Sequence, residues 1–93
     1  MNDILSISNP DKVKQNINRF LGSNVPLYLS TRKNKKYMLQ NPKGNWIHFG
    51  SNMEDYTKHT DTTRLKNFRT RNAKWKDAPK WSASWLSYYL LWN

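Results

Sequence analysis

The sequence predicts one small α+β domain, and three patterns carry that reading. A stretch near the N-terminus repeats its apolar residues at helical spacing. Two short alternating runs flank an Asn-Pro-Lys-Gly turn. The last third steps again at helical spacing, with rings in place of aliphatics. Ninety-three residues suffice for one hydrophobic core. Within a single domain over 1–93, residues 1–24 read as an N-terminal helical extension and 25–93 as the basic α+β part.

The first helix is expected over residues 10–21. Asn9 caps it, Pro10 suits its first position, and Asp11 complements the positive end of the helix dipole. Val13, Ile17, Phe20 and Leu21 form one apolar stripe, and Gly22 stops the helix. Such a stripe suits packing on its own domain, with docking onto a partner as its other use. A first strand is expected over Val25 to Leu29, its start kept near an edge by Pro26. Lys36 to Gln40 and Asn45 to Phe49 read as a hairpin. In its turn Pro42 presets φ and Gly44 supplies a positive φ. Tyr37 and Leu39 face away from Met38 and Gln40; Ile47 and Phe49 face away from Trp46 and His48. Met53 to Lys58 reads as a short helical turn. A longer helix starts at a Thr60 or Asp61 cap, with Leu65, Phe68, Asn72 and Trp75 on one side, and runs until Pro79. Ser82 caps a final helix carrying Trp85, Leu86, Tyr89 and Leu90.

Composition narrows the function. Hydrophobic residues are 37% of the chain, but five Trp, five Tyr and three Phe give large burial per residue and argue against disorder. The absence of cysteine removes disulfides, thiolate zinc sites, iron–sulfur clusters and a thiol nucleophile, and fits a reducing compartment. The longest apolar run, Tyr88 to Trp92, is far short of the ~20 residues that span a bilayer. Met1 to Pro10 shows no basic segment followed by an apolar run, so a leader peptide is not expected.

Charge is concentrated. The formal net charge is +10. Residues 1–31 contribute only +1, residues 32–80 contribute +9, and residues 81–93 carry no charged side chain. That excess exceeds what solubility needs and points to a polyanionic partner. Lys and Arg on phosphates release counterions and bind with little regard for sequence. Arg32, Lys33, Lys35 and Lys36 on the approach to the hairpin, with Arg64, Arg69, Arg71 and Lys74 on a neighbouring helix, are the expected phosphate contacts. Lys66 and Lys76 extend the same positive face.

The run Arg32-Lys33-Asn34-Lys35-Lys36-Tyr37-Met38-Leu39 is followed by Asn41-Pro42-Lys43-Gly44-Asn45-Trp46-Ile47-His48-Phe49-Gly50. With Asp55-Tyr56-Thr57-Lys58-His59, Asp61, Arg64, Phe68, Arg71-Asn72, Ser82, Leu86-Ser87-Tyr88 and Leu90-Leu91-Trp92, it resembles an uncharacterised small basic domain family of nucleocytoplasmic large DNA viruses and some phages. The similarity covers roughly residues 31–93. It implies a viral origin, and hence genome handling or particle building, and it assigns no catalytic residue.

The five tryptophans suggest base stacking, but a chain with few aliphatics must build its core from rings, so most are expected to be buried. Trp75 and Trp81, beside Lys74, Lys76 and Lys80, are the expected exposed ones. Trp85, Tyr88, Tyr89 and Trp92 form a candidate aromatic patch for a protein partner. His48, Asp55, His59 and Asp61 are the only cluster suited to chemistry, as ligands of a divalent metal in a nuclease. Their ordinary roles are structural: Asp55 as a helix cap, Tyr56 in packing, His59 hydrogen-bonded to the sheet. No phosphate-binding glycine loop, dinucleotide fingerprint or HExxH is present.

The expected function is therefore non-catalytic: a viral basic protein that binds nucleic acid through phosphates, with weak sequence preference, packaged in the virion. DNA stands ahead of RNA as the partner. The alternative is a minor capsid protein that cements larger subunits through acidic surfaces, and the third reading is a metal-dependent nuclease. No cofactor, resident metal, membrane or small-molecule substrate is expected. The expected location is the virion or the infected cell, in cytoplasm or nucleus, neither secreted nor transmembrane.

Overall fold

The sequence folds, in a computed structural model that describes residues 4–51 and 53–93, around a three-stranded antiparallel sheet. Its strands are β1 (Tyr28–Leu29), β2 (Tyr37–Gln40) and β3 (Trp46–Phe49), in that spatial order. Tyr37 pairs with Phe49 and Leu39 with Ile47, so β2 and β3 turn the same apolar face inward. Tyr37, Leu39 and Phe49 are fully buried. The turn between them is held by Asn41, whose Oδ1 accepts from the backbone N–H of Lys43 (3.0 Å) and of Asn45 (2.9 Å). Gly44 has φ +82°, the conformation expected of it. The first strand is shorter than the apolar run Val25 to Leu29, because Pro26 has no N–H to give a ladder.

Helix α1 (Pro10–Phe20) begins as its sequence dictates, with Asn9 Oδ1 accepting from the N–H groups of Asp11 and Lys12. Val13 and Ile17 enter the core. Asn16 Nδ2 donates to the carbonyl of Leu90 at 2.9 Å, and Phe20 meets the rings of Trp85 and Tyr89. The stripe is thus used on its own domain. The expectation about a leader in Met1 to Pro10 lies partly outside the described residues.

After β3 come α2 (Tyr56–His59) and α3 (Thr62–Arg71). Asp55 caps the first, and Asp61 caps the second by accepting from the N–H of Thr63 (2.9 Å) and Arg64 (3.2 Å). Thr60, between them, takes φ +52°. The helix expected to run to Pro79 ends at Arg71: Asn72 turns its Nδ2 back to the carbonyl of Phe68, and residues Ala73–Asp77 tighten into a 3₁₀ turn. Helix α4 (Ala83–Leu86) is capped by Ser82 and then widens into a π-type turn over Ser87–Leu91. This wider turn aims Tyr88, Leu90 and Leu91 into the core, and all three are buried.

Gly50 ties the two ends of the fold together. Its φ is +84°, and a Cβ there would sit 2.8 Å from Leu91 Cδ1 and 3.2 Å from Lys36 Cβ. Only a residue without a side chain lets the C-terminal segment approach the end of the sheet this closely.

Candidate nucleic-acid interface

Adjacent lysines meet opposite fates where the chain enters β2. Lys36 is buried. Its Nζ donates to Asp55 Oδ2 at 3.0 Å, with the side chains 2% and 0% exposed. Asp55 Oδ1 accepts from the N–H of Thr57 at 3.0 Å and from the Thr57 hydroxyl. Because that proton is committed, Thr57 Oγ1 accepts from Ser8 Oγ (3.2 Å) and from the N–H of Asn9 (3.0 Å). Ser8 in turn accepts from the Tyr37 hydroxyl at 2.7 Å. The chain Tyr37–Ser8–Thr57–Asp55–Lys36 is satisfied throughout, as a polar network in a core must be. Burial pulls the Lys36 pKa below its ordinary value against the opposing pull of Asp55, and burial raises that of Tyr37 to about 12. Lys36 is therefore corrected from an expected surface cation to a core cation: it is buried beside the equally buried Tyr37, against the alternation of a strand, and its partner Asp55 lies 19 residues away.

Lys35 stays at the surface, on the rim of a cleft of about 630 Å³ between the end of the sheet and α3. Arg64 and Arg71 stand on that rim from α3, and Asn67 and Thr70 add polar groups. Spacing explains the shared face: 64, 67, 70/71 are successive i, i+3/i+4 positions of one helix. Below lies an aromatic floor. The rings of Phe68 and Trp92 stack in parallel at 4.2 Å, and Trp75 meets Phe68 edge-on at 5.7 Å. Phe68 and Trp92 are buried, whereas Trp75 is half-exposed. Glu54 is the single carboxylate on the described lining. Lys35, Arg64 and Arg71 form no ion pair among the described residues.

The other expected contacts spread out from there. Arg32 and Lys33 line a smaller hollow of about 260 Å³ that shares Lys35 with the cleft, so cationic surface continues from one to the other. Lys74 is exposed but lines neither. Arg69 is engaged inside the molecule. Its Nε donates to the carbonyl of Trp92 at 3.1 Å, its guanidinium to Asn93 Oδ1 at 2.7 Å, and it lies over the Tyr88 ring. Arg69, expected as a phosphate contact, is thus a clasp on the C-terminal segment.

The expected aromatic patch is also corrected. Tyr88 and Trp92 are buried, and Trp85 and Tyr89 are half-buried against each other and Phe20. The π-type turn, invisible to a 3.6-residue reading, rotates these rings inward. The exposed tryptophan is Trp46, which meets the exposed Tyr28 edge-on at 5.6 Å on the outer face of the sheet. Trp81 is half-buried, at a backbone φ of +78°. The shortage of aliphatics favoured putting Trp46 in the core, with the exposed rings expected at Trp75 and Trp81 instead.

His48, Asp55, His59 and Asp61 do not gather. Asp55 belongs to the buried network. His48 Nδ1 is hydrogen-bonded to Ser30 Oγ at 2.7 Å, and that oxygen also accepts from the N–H of Arg32. His59 Nδ1 accepts from the N–H of Asp61 at 2.9 Å, rather than bonding to the sheet, and its ring lies between Tyr56 and Trp92. Partial burial holds both histidines below their ordinary pKa. Arg32 and Lys35 add to this at His48, and Arg64 adds to it at His59, against the opposing pull of Asp61, Glu54 and Asp55. Among the described residues no three His, Asp or Glu side chains come together as metal ligands. No helix among them is long and apolar enough to cross a membrane.

These features define a small α+β protein with a basic cleft over an aromatic floor. The model of DUF5754, a family of unknown function, matches residues 25–72, and the chain belongs to that family. No curated protein and no solved structure matches the chain. The matched segment holds the sheet, the Lys36–Asp55 pair and the cationic rim, while Trp75 and Trp92 lie beyond it.

Proposed function

We propose that this protein is a non-catalytic nucleic-acid-binding module that grips phosphates with little sequence preference. The observation that carries the reading is the rim of Lys35, Arg64 and Arg71 on one cleft, three cations without ion pairs among the described residues. Cations left in water beside one another repel, and a polyanion relieves that repulsion. Arg64 and Arg71 can each fork onto two phosphate oxygens. The surface toward Arg32 and Lys33 lengthens the track. Nothing on the rim resembles a base-reading helix in a groove, so the contacts position a backbone rather than read it. The viral setting, with packaging in the virion, is part of this proposal and rests on the resemblance across residues 31–93 alone.

The test is binding to labelled oligonucleotides of random sequence across a salt series. Log affinity should fall linearly with log salt, and Arg64→Gln and Arg71→Gln should each flatten that slope by about one. Lys74→Gln, outside the cleft, should change it less. Slopes unchanged in both arginine variants would remove the cleft from the reading.

A further inference from the structure

Resting on that reading, we propose that the cleft takes an unpaired nucleobase, so that the protein prefers single-stranded nucleic acid to duplex. A phosphate track needs only a ridge of cations. This one is built around a hollow of about 630 Å³, within the range of pockets that enclose small organic ligands. Trp75, half-exposed, lines its wall edge-on to Phe68, and Phe68 and Trp92 continue the apolar surface beneath. Lys35, Arg64 and Arg71 stand on the rim above them, the order in which a nucleotide presents phosphate and then base. Asn67 and Thr70 are exposed polar groups beside the rings. Glu54, otherwise a misplaced carboxylate on a cationic rim, is an acceptor for the amino groups of a base.

Duplex leaves this arrangement half used. Its base faces are stacked on one another, and only phosphates and groove edges reach a protein surface. A single strand offers both parts, and every base has a face that a ring can take without regard to sequence. The inference also accounts for the division of the cleft. The cations come from the segment shared with the family, and Trp75 and Trp92 from the stretch that follows it.

The experiment compares one oligonucleotide, carrying 2-aminopurine near its centre, free and annealed to its complement, with anisotropy and 2-aminopurine emission read together. The single strand should bind at least tenfold more tightly than the duplex, and its emission should be quenched on binding. Trp75→Leu should lose about tenfold in single-strand affinity, the worth of one base–ring stack, and leave duplex binding unchanged. Trp75→Phe should retain most of the preference. Equal binding of the two forms without quenching overturns the base inference and leaves the phosphate reading standing; binding to neither form overturns both. Loss of both substrates alike in Trp75→Leu also overturns the base inference. Should Trp75→Leu fail to fold, quenching by the unaltered protein and by Trp75→Phe decides the matter.

Discussion

Two kinds of cation meet around the cleft beside Gly50. One, Lys36, is buried against Asp55 in a network in which each side-chain polar atom has a partner. The others, the half-buried Lys35 and the exposed Arg64 and Arg71, stand around the mouth of the cleft. The charges are of the same sign and two are adjacent in sequence, yet one holds the fold together and the others are available for a ligand. A cation's role follows from whether its partner is already within the chain. A buried charge must bring its counter-charge with it, whereas an exposed one can wait for a partner.

The largest expected effect comes from breaking the buried pair. Lys36→Met leaves Asp55 charged, buried and without its cation, and should cost about 3–5 kcal/mol in urea unfolding. Adding Asp55→Asn removes the stranded charge but keeps an oxygen for Thr57, and should recover much of the loss. A cost under about 1 kcal/mol for Lys36→Met would mean that water reaches the pair, and the contrast would collapse.

A smaller effect appears with alkali. Tyr37 holds its proton to about 12 in the folded chain, but ionises near 10 once unfolded. The folded state therefore binds the extra proton between those values, and stability should fall as pH rises from 10 to 12. The loss should be at most about 2 kcal/mol, allowing for solvent screening. In Tyr37→Phe the fall over that window should be visibly shallower in thermal melts. An unchanged profile would place the Tyr37 hydroxyl in contact with solvent rather than with Ser8.

Least of all should stability respond at the mouth of the cleft. Arg64→Gln and Arg71→Gln should shift unfolding by less than about 0.5 kcal/mol, as surface changes do, while weakening oligonucleotide binding. Arg69→Gln sharpens the contrast. It sits on the same helix but clasps Trp92 and Asn93, so its loss should fall on stability rather than on the salt slope.

The same division separates what was legible in the chain from what was not. Helix starts were legible because capping is local: Asn9, Asp55, Asp61 and Ser82 each accept from an N–H within three residues. The hairpin was legible because Asn41 and Gly44 build their turn from within it. Helix ends were less so. Arg71 rather than Pro79 closes α3, since that end depends on how Asn72 and Trp75 settle against Phe68. In the cleft, the one-face spacing of Arg64 and Arg71 and their grouping with Lys35 were open to reading, whereas the meeting with Trp92 was not.

Sequence alone, then, determined the class of fold, the caps, the hairpin turn and the concentration of charge in the middle of the chain, because periodicity and composition act over a few residues. Tertiary structure alone decided that Lys36 is core and Lys35 is rim, that Arg69 is a clasp, and that Tyr88 and Trp92 turn inward while Trp46 stays out. Those outcomes hang on partners 19 to 24 residues away, as in Lys36–Asp55 and Arg69–Asn93, and on a π-type turn that re-aims a whole ring cluster. Burial and pairing are settled only when distant segments compete for the same space, and no local pattern records the result.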